Sequence, residues 1–276
     1  MAEYSVLMSI YKKELPDRLE LSIDSMINQT AKAKQIVLVK DGLLTEELET
    51  VISFYEKTYP EVVTVVGYEE NRGLAYALNY GLKYCSSELV ARMDSDDYSL
   101  PERCERQLAA FAADKDLVLV GTMTKNFMSS ISDVSETTKF RPTTYESIKK
   151  YIRREDPFAH PSVMYKKTVV LSCGGYDPML RRRQDYDLFS KMINRGYKAI
   201  NLPDVLLLFR ADKNYVDRNR NKESCASRIV VQRNIYSRGE CSFFDLMYVW
   251  VGMKLAYILH SSLYSILYNI VKIRRR

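Results

Sequence analysis

Four short apolar runs, each closed by polar residues and separated by stretches of helical spacing, constrain this chain more than any other feature. Residues 5–10, 35–39, 62–66 and 89–93 are the runs. They have strand length and read as buried strands. The first intervening stretch opens at Pro16, and Leu19, Ile23, Met26 and Ile27 recur at helical intervals. Residues 48–59 and 74–84 read as helices in the same way. The resulting order, β-α-β-α-β-α-β, argues for a parallel sheet with crossover helices. No Gly-x-Gly-x-x-Gly loop and no Walker loop follows any of these strands. That excludes the usual NAD and ATP binding modes.

In such a sheet ligands bind outside the carboxyl ends of the strands. Three of those ends are polar here. The second strand runs into Lys40-Asp41-Gly42, the third into Asn71-Arg72-Gly73, and the fourth into Asp94-Ser95-Asp96-Asp97. Asp94 and Asp96 alternate, so both can point at one bound group. Two hard oxygen ligands at that spacing suit Mg2+ or Mn2+ carrying a diphosphate. A polar loop entering a helix, as at Asn71 to Gly73, is a natural anion site. Each element also has a plain structural reading. Asp-Gly is a turn dipeptide, and Asp and Ser favour turns and helix caps.

The second half continues with a helix over residues 102–113, a strand over 117–121, a helix over 145–153 and a last strand over 205–209 closed by Arg210. Residues 126–142 are rich in Ser and Thr without periodicity and read as a mobile loop over the site. His160 is one of only two histidines. It reads as a structural hydrogen-bonder or as a metal ligand. Gln184 opens a helix that ends at Gly196, with Asp185 and Asp187 in its first turn, where Asp is commonly a cap.

The apolar content of 46% over 276 residues supports a substantial core. The net charge of +6 is clustered, much of it in Arg181 to Arg183 and Arg274 to Arg276. That fits anionic ligands or an anionic membrane surface, and no nucleic-acid recognition motif accompanies it. The five cysteines are scattered, with no CxxC pair, as expected of a reduced, cytosolic chain without structural zinc. No basic leader precedes the first strand, so no secretory signal is expected. From Phe243 the chain turns apolar, and it closes on Lys272, Arg274, Arg275 and Arg276. Its serines, Asn269 and His260 favour an interfacial helix or hairpin over a span. A tilted span, and a helical pair packed on the domain or in a homodimer interface, stand as alternatives.

Taken in order, Ser9-Ile10-Tyr11, the stretch from Pro16 to Thr30, Lys40-Asp41-Gly42, Asn71-Arg72-Gly73-Leu74 through Asn79, Asp94-Ser95-Asp96-Asp97 and Gln184-Asp185-Tyr186-Asp187 resemble family 2 glycosyltransferases. The resemblance covers residues 4–210 and looks closest to the bacterial capsule, exopolysaccharide and O-antigen subgroup of amylovoran-biosynthesis type. His160-Pro161-Ser162-Val163-Met164 and the Leu-rich run into Phe209-Arg210 share that likeness. It implies a GT-A fold, α/β with a mostly parallel, Rossmann-like sheet, followed by apolar or amphipathic C-terminal helices. Residues 1–100 would form the nucleotide-sugar half, 101–215 the acceptor and base half, and 216–276 a membrane-associating tail.

The resemblance also implies a division of roles. Ser9, Ile10, Tyr11, Glu14, Asp41, Asn71, Gly73, Asp94, Ser95 and Asp96 would hold a UDP-sugar. Asp94 and Asp96, with His160, would hold Mn2+ or Mg2+. Asp185 would be the base of an inverting transfer, and Gln184, Asp187 and Arg210 would touch acceptor or diphosphate. The family's usual Glu-Asp pair is Gln184-Asp185 here, which leaves the donor sugar open: galactose, another hexose or an N-acetylhexosamine. The expected acceptor is a polyprenyl-diphosphate-linked saccharide, met at the inner face of the cytoplasmic membrane. Two other readings remain: a sugar nucleotidyltransferase, against which the glycine-free residues 9–15 count, and a non-catalytic assembly protein.

Overall fold

A computed structural model of the chain describes residues 2–211 and 221–258. Strands β1 (Tyr4–Ile10), β2 (Gln35–Asp41), β3 (Val63–Tyr68) and β4 (Leu89–Asp94) alternate with helices α1 (Pro16–Ile27), α2 (Glu46–Thr58) and α3 (Leu74–Leu82). They pair in parallel in the order β3-β2-β1-β4. Local sequence accounts for each start and stop. Pro16 supplies a preset φ at the first turn of α1. Thr45 caps α2 by accepting from the Leu48 N–H. Gly73 enters α3 at φ 86, a left-handed conformation that a β-carbon disfavours.

The second half extends this sheet instead of forming its own. It comprises β5 (Tyr98–Ser99), α4 (Arg103–Ala113), β6 (Leu117–Phe127), β7 (Thr138–Lys139), α5 (Tyr145–Tyr151), β8 (Met164–Lys166), α6 (Lys167–Ser172), α7 (Gln184–Asn194) and β9 (Lys198–Arg210). The full order is β3-β2-β1-β4-β8-β6-β9-β5, with β7 on β6. Strand β8 is antiparallel to both β4 and β6 and so joins the parallel half to the rest.

Strand alternation divides the core between the two faces of the sheet. Leu7, Val37, Val39 and Val90 pack with Leu78, Leu188 and Val231 on one face. Val6, Met8, Ile36, Leu38, Ala91 and Met93 pack with Leu19, Ile52 and Leu108 on the other.

Two sequence expectations are revised, and one strand is added. The Ser- and Thr-rich stretch over residues 126–142 is partly sheet, because β6 runs on to Phe127 and β7 pairs with it through Thr124–Lys139 and Lys125–Thr138. The last strand starts at Lys198 and not at Val205. Pro203 and Asp204 lie in an irregularity between the Leu202 and Val205 pairings, where a residue without an N–H is tolerated. Strand β8 has only three residues, too few to show periodicity.

The first part of the expected tail is docked on the domain. Helices α8 (Lys222–Ser237) and α9 (Phe243–Ile258) follow, and α8 packs on α7. Asp245, 1% exposed, is bound by Ser242, Arg153 and Arg154. Burial alone would raise its pKa, but the Ser242 hydrogen bonds and Arg154 outweigh it and hold the group at about 2. A depressed carboxylate stabilises the fold above the unfolded pKa of roughly 4 and loses that contribution as pH falls through the folded value. Asp245→Ala is therefore expected to cost about 1–2 kcal/mol at pH 7, for a lost cap and two partly exposed ion pairs. Urea midpoints should show the gap to wild type closing between roughly pH 4 and pH 2. A gap that is constant across that range would reject the role given to this carboxylate.

The remaining tail, residues 259–276, with the basic anchor at Lys272 and Arg274 to Arg276, lies outside the described residues. Among the described residues no helix is long and apolar enough to cross a membrane.

Candidate active site

The acid turn sits where the sheet topology puts it, at the carboxyl end of β4 beside β1. Its backbone is braced from below by α1. The Ser22 hydroxyl donates to the Asp94 carbonyl at 2.6 Å. Gln29, fully buried, donates to the Leu100 carbonyl and accepts from the Cys104 N–H. These contacts explain why polar residues occupy the buried face of an otherwise amphipathic helix. Pro16 and the apolar period give this helix from sequence, whereas its polar residues stand out only through the family likeness.

Asp94, Asp96 and Asp97 place carboxylate oxygens within 4.8 Å of one another. Asp97 is the member that the sequence reading left out of the site. It is 1% exposed; its Oδ1 accepts from the Arg210 N–H at 2.7 Å, and its Oδ2 has no partner. Burial first, and then the neighbouring Asp94 and Glu14, push the Asp96 carboxyl up to about 7. Burial, then Asp96 and Asp94, push Asp97 up as well. Three hard oxygen donors that repel one another, one with an orphaned buried oxygen, fit a divalent cation such as Mg2+ or Mn2+.

Arg210 holds this turn. Its Nε donates to the Asp96 carbonyl and its Nη1 to the Met128 carbonyl, and its guanidinium lies over the Phe127 ring. Residues 11–15 close the turn from the β1 side, because the Ser95 hydroxyl donates to Glu14. Ser9 and Ile10 lie at the end of β1, and Tyr11, 44% exposed, begins the loop.

Asp41 ends β2 and is 4% exposed. It accepts from the Tyr68 hydroxyl, the Asn71 amide and the Arg72 and Gly73 N–H groups, at 2.8–3.2 Å. The expected anion site at the start of α3 thus receives the Asp41 carboxylate. Asn71 and Gly73 shape the loop through Asp41.

The second acidic centre stands at the start of α7. Arg183 precedes it at φ 62, the one non-glycine residue in the left-handed region among the described residues. Such strain is typical of functional turns. Asp185 accepts from the Tyr186 N–H at 2.9 Å. Burial raises its pKa, while that hydrogen bond, Arg183 and Arg92 oppose the rise. A carboxylate so poised suits proton abstraction. Gln184 is buried, and its amide oxygen has no partner.

His160 stands behind Asp185 and does not join the acid cluster. Its Nδ1 is 4.0 Å from Asp185 Oδ2, and its Nε2 is 3.0 Å from the Tyr176 hydroxyl. Burial, then Arg92, hold its pKa well below the usual value, so the ring is neutral. It is placed to serve Asp185 and not the metal site. Asp187, expected at the acceptor, is 1% exposed with its oxygens on Lys191 and Arg238, both at 2.8 Å. Its direction along the helix, two residues past Asp185, turns it toward α8, where it fastens the two helices together.

Sequence reading also missed Arg92 and Tyr176. Arg92 is 1% exposed and donates to Asp94. Tyr176 is gripped by Asn79, which donates to its carbonyl and accepts from its N–H. An arginine inside an apolar strand run is the one local signal that pointed here.

Known proteins share both sequence and architecture with this chain. The amylovoran biosynthesis glycosyltransferase AmsE of Erwinia amylovora is 36% identical over 230 residues, covering 83% of this chain and 84% of that protein. The UDP-Gal:alpha-D-GlcNAc-diphosphoundecaprenol beta-1,3-galactosyltransferase of Escherichia coli is 30% identical over 245 residues, covering 89% and 87%. Among solved structures, the mannosyltransferase PcManGT from Pyrobaculum calidifontis, in complex with GDP-Man and Mn2+, superposes with a TM-score of 0.67 at 15% identity, covering 99% of this chain and 81% of that one. The fold is the GT-A fold that the family resemblance implied. Residues 5–172 match the family model described as glycosyl transferase family 2, and the chain belongs to that family.

Proposed function

We propose that this chain is an inverting glycosyltransferase acting in bacterial surface-polysaccharide synthesis. It moves galactose, or another hexose or N-acetylhexosamine, from a UDP-sugar to a lipid-linked saccharide. The observation that carries this reading is the presence of two distinct acidic centres at one end of the sheet. One is a crowded cluster suited to a cation, and the other a single poised carboxylate. The E. coli relative's name, which gives a UDP-galactose donor and a diphosphoundecaprenol-linked acceptor, supports the choice of substrates.

Asp94, Asp96 and Asp97 would hold Mn2+ or Mg2+. When bound, the ion offsets charge on the departing diphosphate. Ser9, Ile10, Tyr11 and the loop ordered by Asp41 line the nucleotide, with Glu14 and Ser95 fixing the loop beside it. Asp185 takes the proton of the acceptor hydroxyl as that oxygen attacks C1 and the bond from C1 to diphosphate breaks. A single displacement inverts the anomeric centre. Gln184 and Arg210 stand at the acceptor and diphosphate sides. A panel of nucleotide sugars, each with Mn2+, tests the reading by thermal shift and by slow hydrolysis. A UDP-sugar should stabilise the fold and be hydrolysed, and indifference to every UDP-sugar would overturn the assignment.

The enzyme would work peripherally on the cytoplasmic face of the membrane. Phe244, Tyr248, Val251 and Leu255 make an exposed stripe on α9, at spacings of four, three and four residues. Lys272 and Arg274 to Arg276 would add attraction to anionic lipid of about 1 kcal/mol each, screened by salt. A protein ending at Ile258 keeps α9 and its Asp245 contacts but lacks those four cations. It is expected to hydrolyse donor at the wild-type rate and to pellet less with anionic liposomes at low salt. Undiminished pelleting would rule out the basic anchor.

A further inference from the structure

Arg92 is buried under the floor of the site with more hydrogen-bonding capacity than the protein satisfies. It lies on β4 two residues before Asp94, so the two side chains leave the same face of the strand. Its backbone is clamped, because the Arg92 N–H donates to the Val163 carbonyl at 2.9 Å and the Arg92 carbonyl accepts from Arg103. Its guanidinium donates to Asp94 through Nη2, whereas Nε and Nη1 are buried with no acceptor. A buried donor left without an acceptor keeps its full desolvation cost, which is larger for a charged group. A guanidinium kept there for packing alone is an expensive choice.

What surrounds Arg92 indicates its use. Toward the donor side stand Asp94 and Asp97. Toward the acceptor side stand Tyr176, His160 and, beyond the imidazole, Asp185. The charge therefore lies between the acid cluster and the candidate base, in a region from which water is excluded and fields act strongly.

We propose that Arg92 is a positioning residue for both halves of the transfer. It fixes the Asp94 carboxylate in the donor site and sets a permanent positive charge behind the His160–Asp185 pair. On the donor side, a charge-assisted bond from a clamped strand leaves Asp94 one oxygen and one orientation to offer. On the acceptor side, the field favours the anionic form of Asp185. The other groups facing Asp185 are Arg183 and the Tyr186 N–H from its own turn, His160, Tyr176, and Asp156 from the segment after α5. Asp156 is partly buried, and desolvation first, then the Asp185 charge, push it up to about 8, so it adds little negative charge at neutral pH. Arg183 and Arg92 are thus the cations that oppose the rise burial imposes on Asp185, and of the two Arg92 also donates to Asp94. The neutral His160 ring packs between Asp185 and Tyr176 and transmits position without competing for charge.

This inference rests on the proposed transferase reading, and its test separates the two. Arg92→Lys keeps the charge but shortens the reach to Asp94, and Arg92→Met removes the charge. Affinity for UDP with Mn2+ is measured by calorimetry. The pH dependence of the turnover rate is measured on the slow hydrolysis of UDP-galactose at saturating donor. Both variants should bind UDP with Mn2+ at least about tenfold more weakly. The acid limb of the pH profile should move to higher pH in Arg92→Met and stay near wild type in Arg92→Lys. A merely structural arginine would change stability without moving that limb. If Arg92→Met does not fold, Arg92→Lys decides: weakened binding with an unmoved limb supports the proposal, and wild-type binding refutes it. If wild type binds and hydrolyses the donor but both variants match it, the positioning role fails alone. If wild type does neither, the transferase reading falls with it.

Discussion

Asp96→Ala is expected to bind UDP with Mn2+ roughly 100-fold more weakly than wild type, a loss of about 2.8 kcal/mol, while remaining folded. Asp96 is the member of the cluster whose carboxyl is pushed up to about 7 by burial and by Asp94 and Glu14. The same carboxylate crowding that raises its pKa also makes it a strong partner for a divalent charge. Removing it relieves repulsion within the cluster, so thermal stability in the absence of metal should be unchanged or slightly higher. Because cation binding must displace a proton from a group poised near neutrality, wild-type affinity for Mn2+ should rise between roughly pH 6 and pH 8, with proton release. Calorimetry in two buffers of different ionisation enthalpy checks both points. Wild-type affinity in the variant would remove Asp96 from the metal site.

Asp185→Asn is expected to keep donor affinity and lose 10²–10⁴-fold in transfer rate, the usual cost of neutralising a general base. The amide can still accept from the Tyr186 N–H that orients the side chain, so the substitution tests charge more than shape. A donor affinity measured by the same calorimetry serves as the internal control. Transfer at more than about a tenth of the wild-type rate would move the base elsewhere. Asp156 is the next group to examine, since its carboxyl lies within the field of Asp185.

These two results bear on different sides of the cleft; Arg92 donates to Asp94 on one side and acts on Asp185 through its charge on the other. A drop in donor affinity in Asp185→Asn would therefore have a specific meaning. It would show that the charge balance around Arg92 carries coupling from the acceptor side to Asp94.

The legibility of the chain followed the range of the forces involved. Hydrophobic periodicity, Pro16 and Gly73 determine the alternating strands and helices of the first half, because burial on one face and helix starts depend on neighbours a few residues away. Crossover geometry then determines that Asp41, Asn71 and Asp94 to Asp97 meet at one edge. Their ordered likeness to a family carried the rest of the functional reading.

Only the tertiary structure decided what each acid does there. Asp41 is an expected nucleotide contact, and its oxygens meet the Asn71 to Gly73 loop, some thirty residues away in sequence. His160, a candidate metal ligand by sequence, faces Asp185, while Asp187, a candidate acceptor contact, fastens α7 to Arg238 of the following helical pair. The sequence assigns Asp97 no role, and it is the acid with an orphaned buried oxygen. In each case the partner is remote in sequence, and a carboxylate's role depends on which donors surround it more than on its own identity. Local pattern cannot hold that information, because no backbone period links Ser22 to Asp94 or Arg210 to Asp97; the sheet brings them together only once every strand has paired.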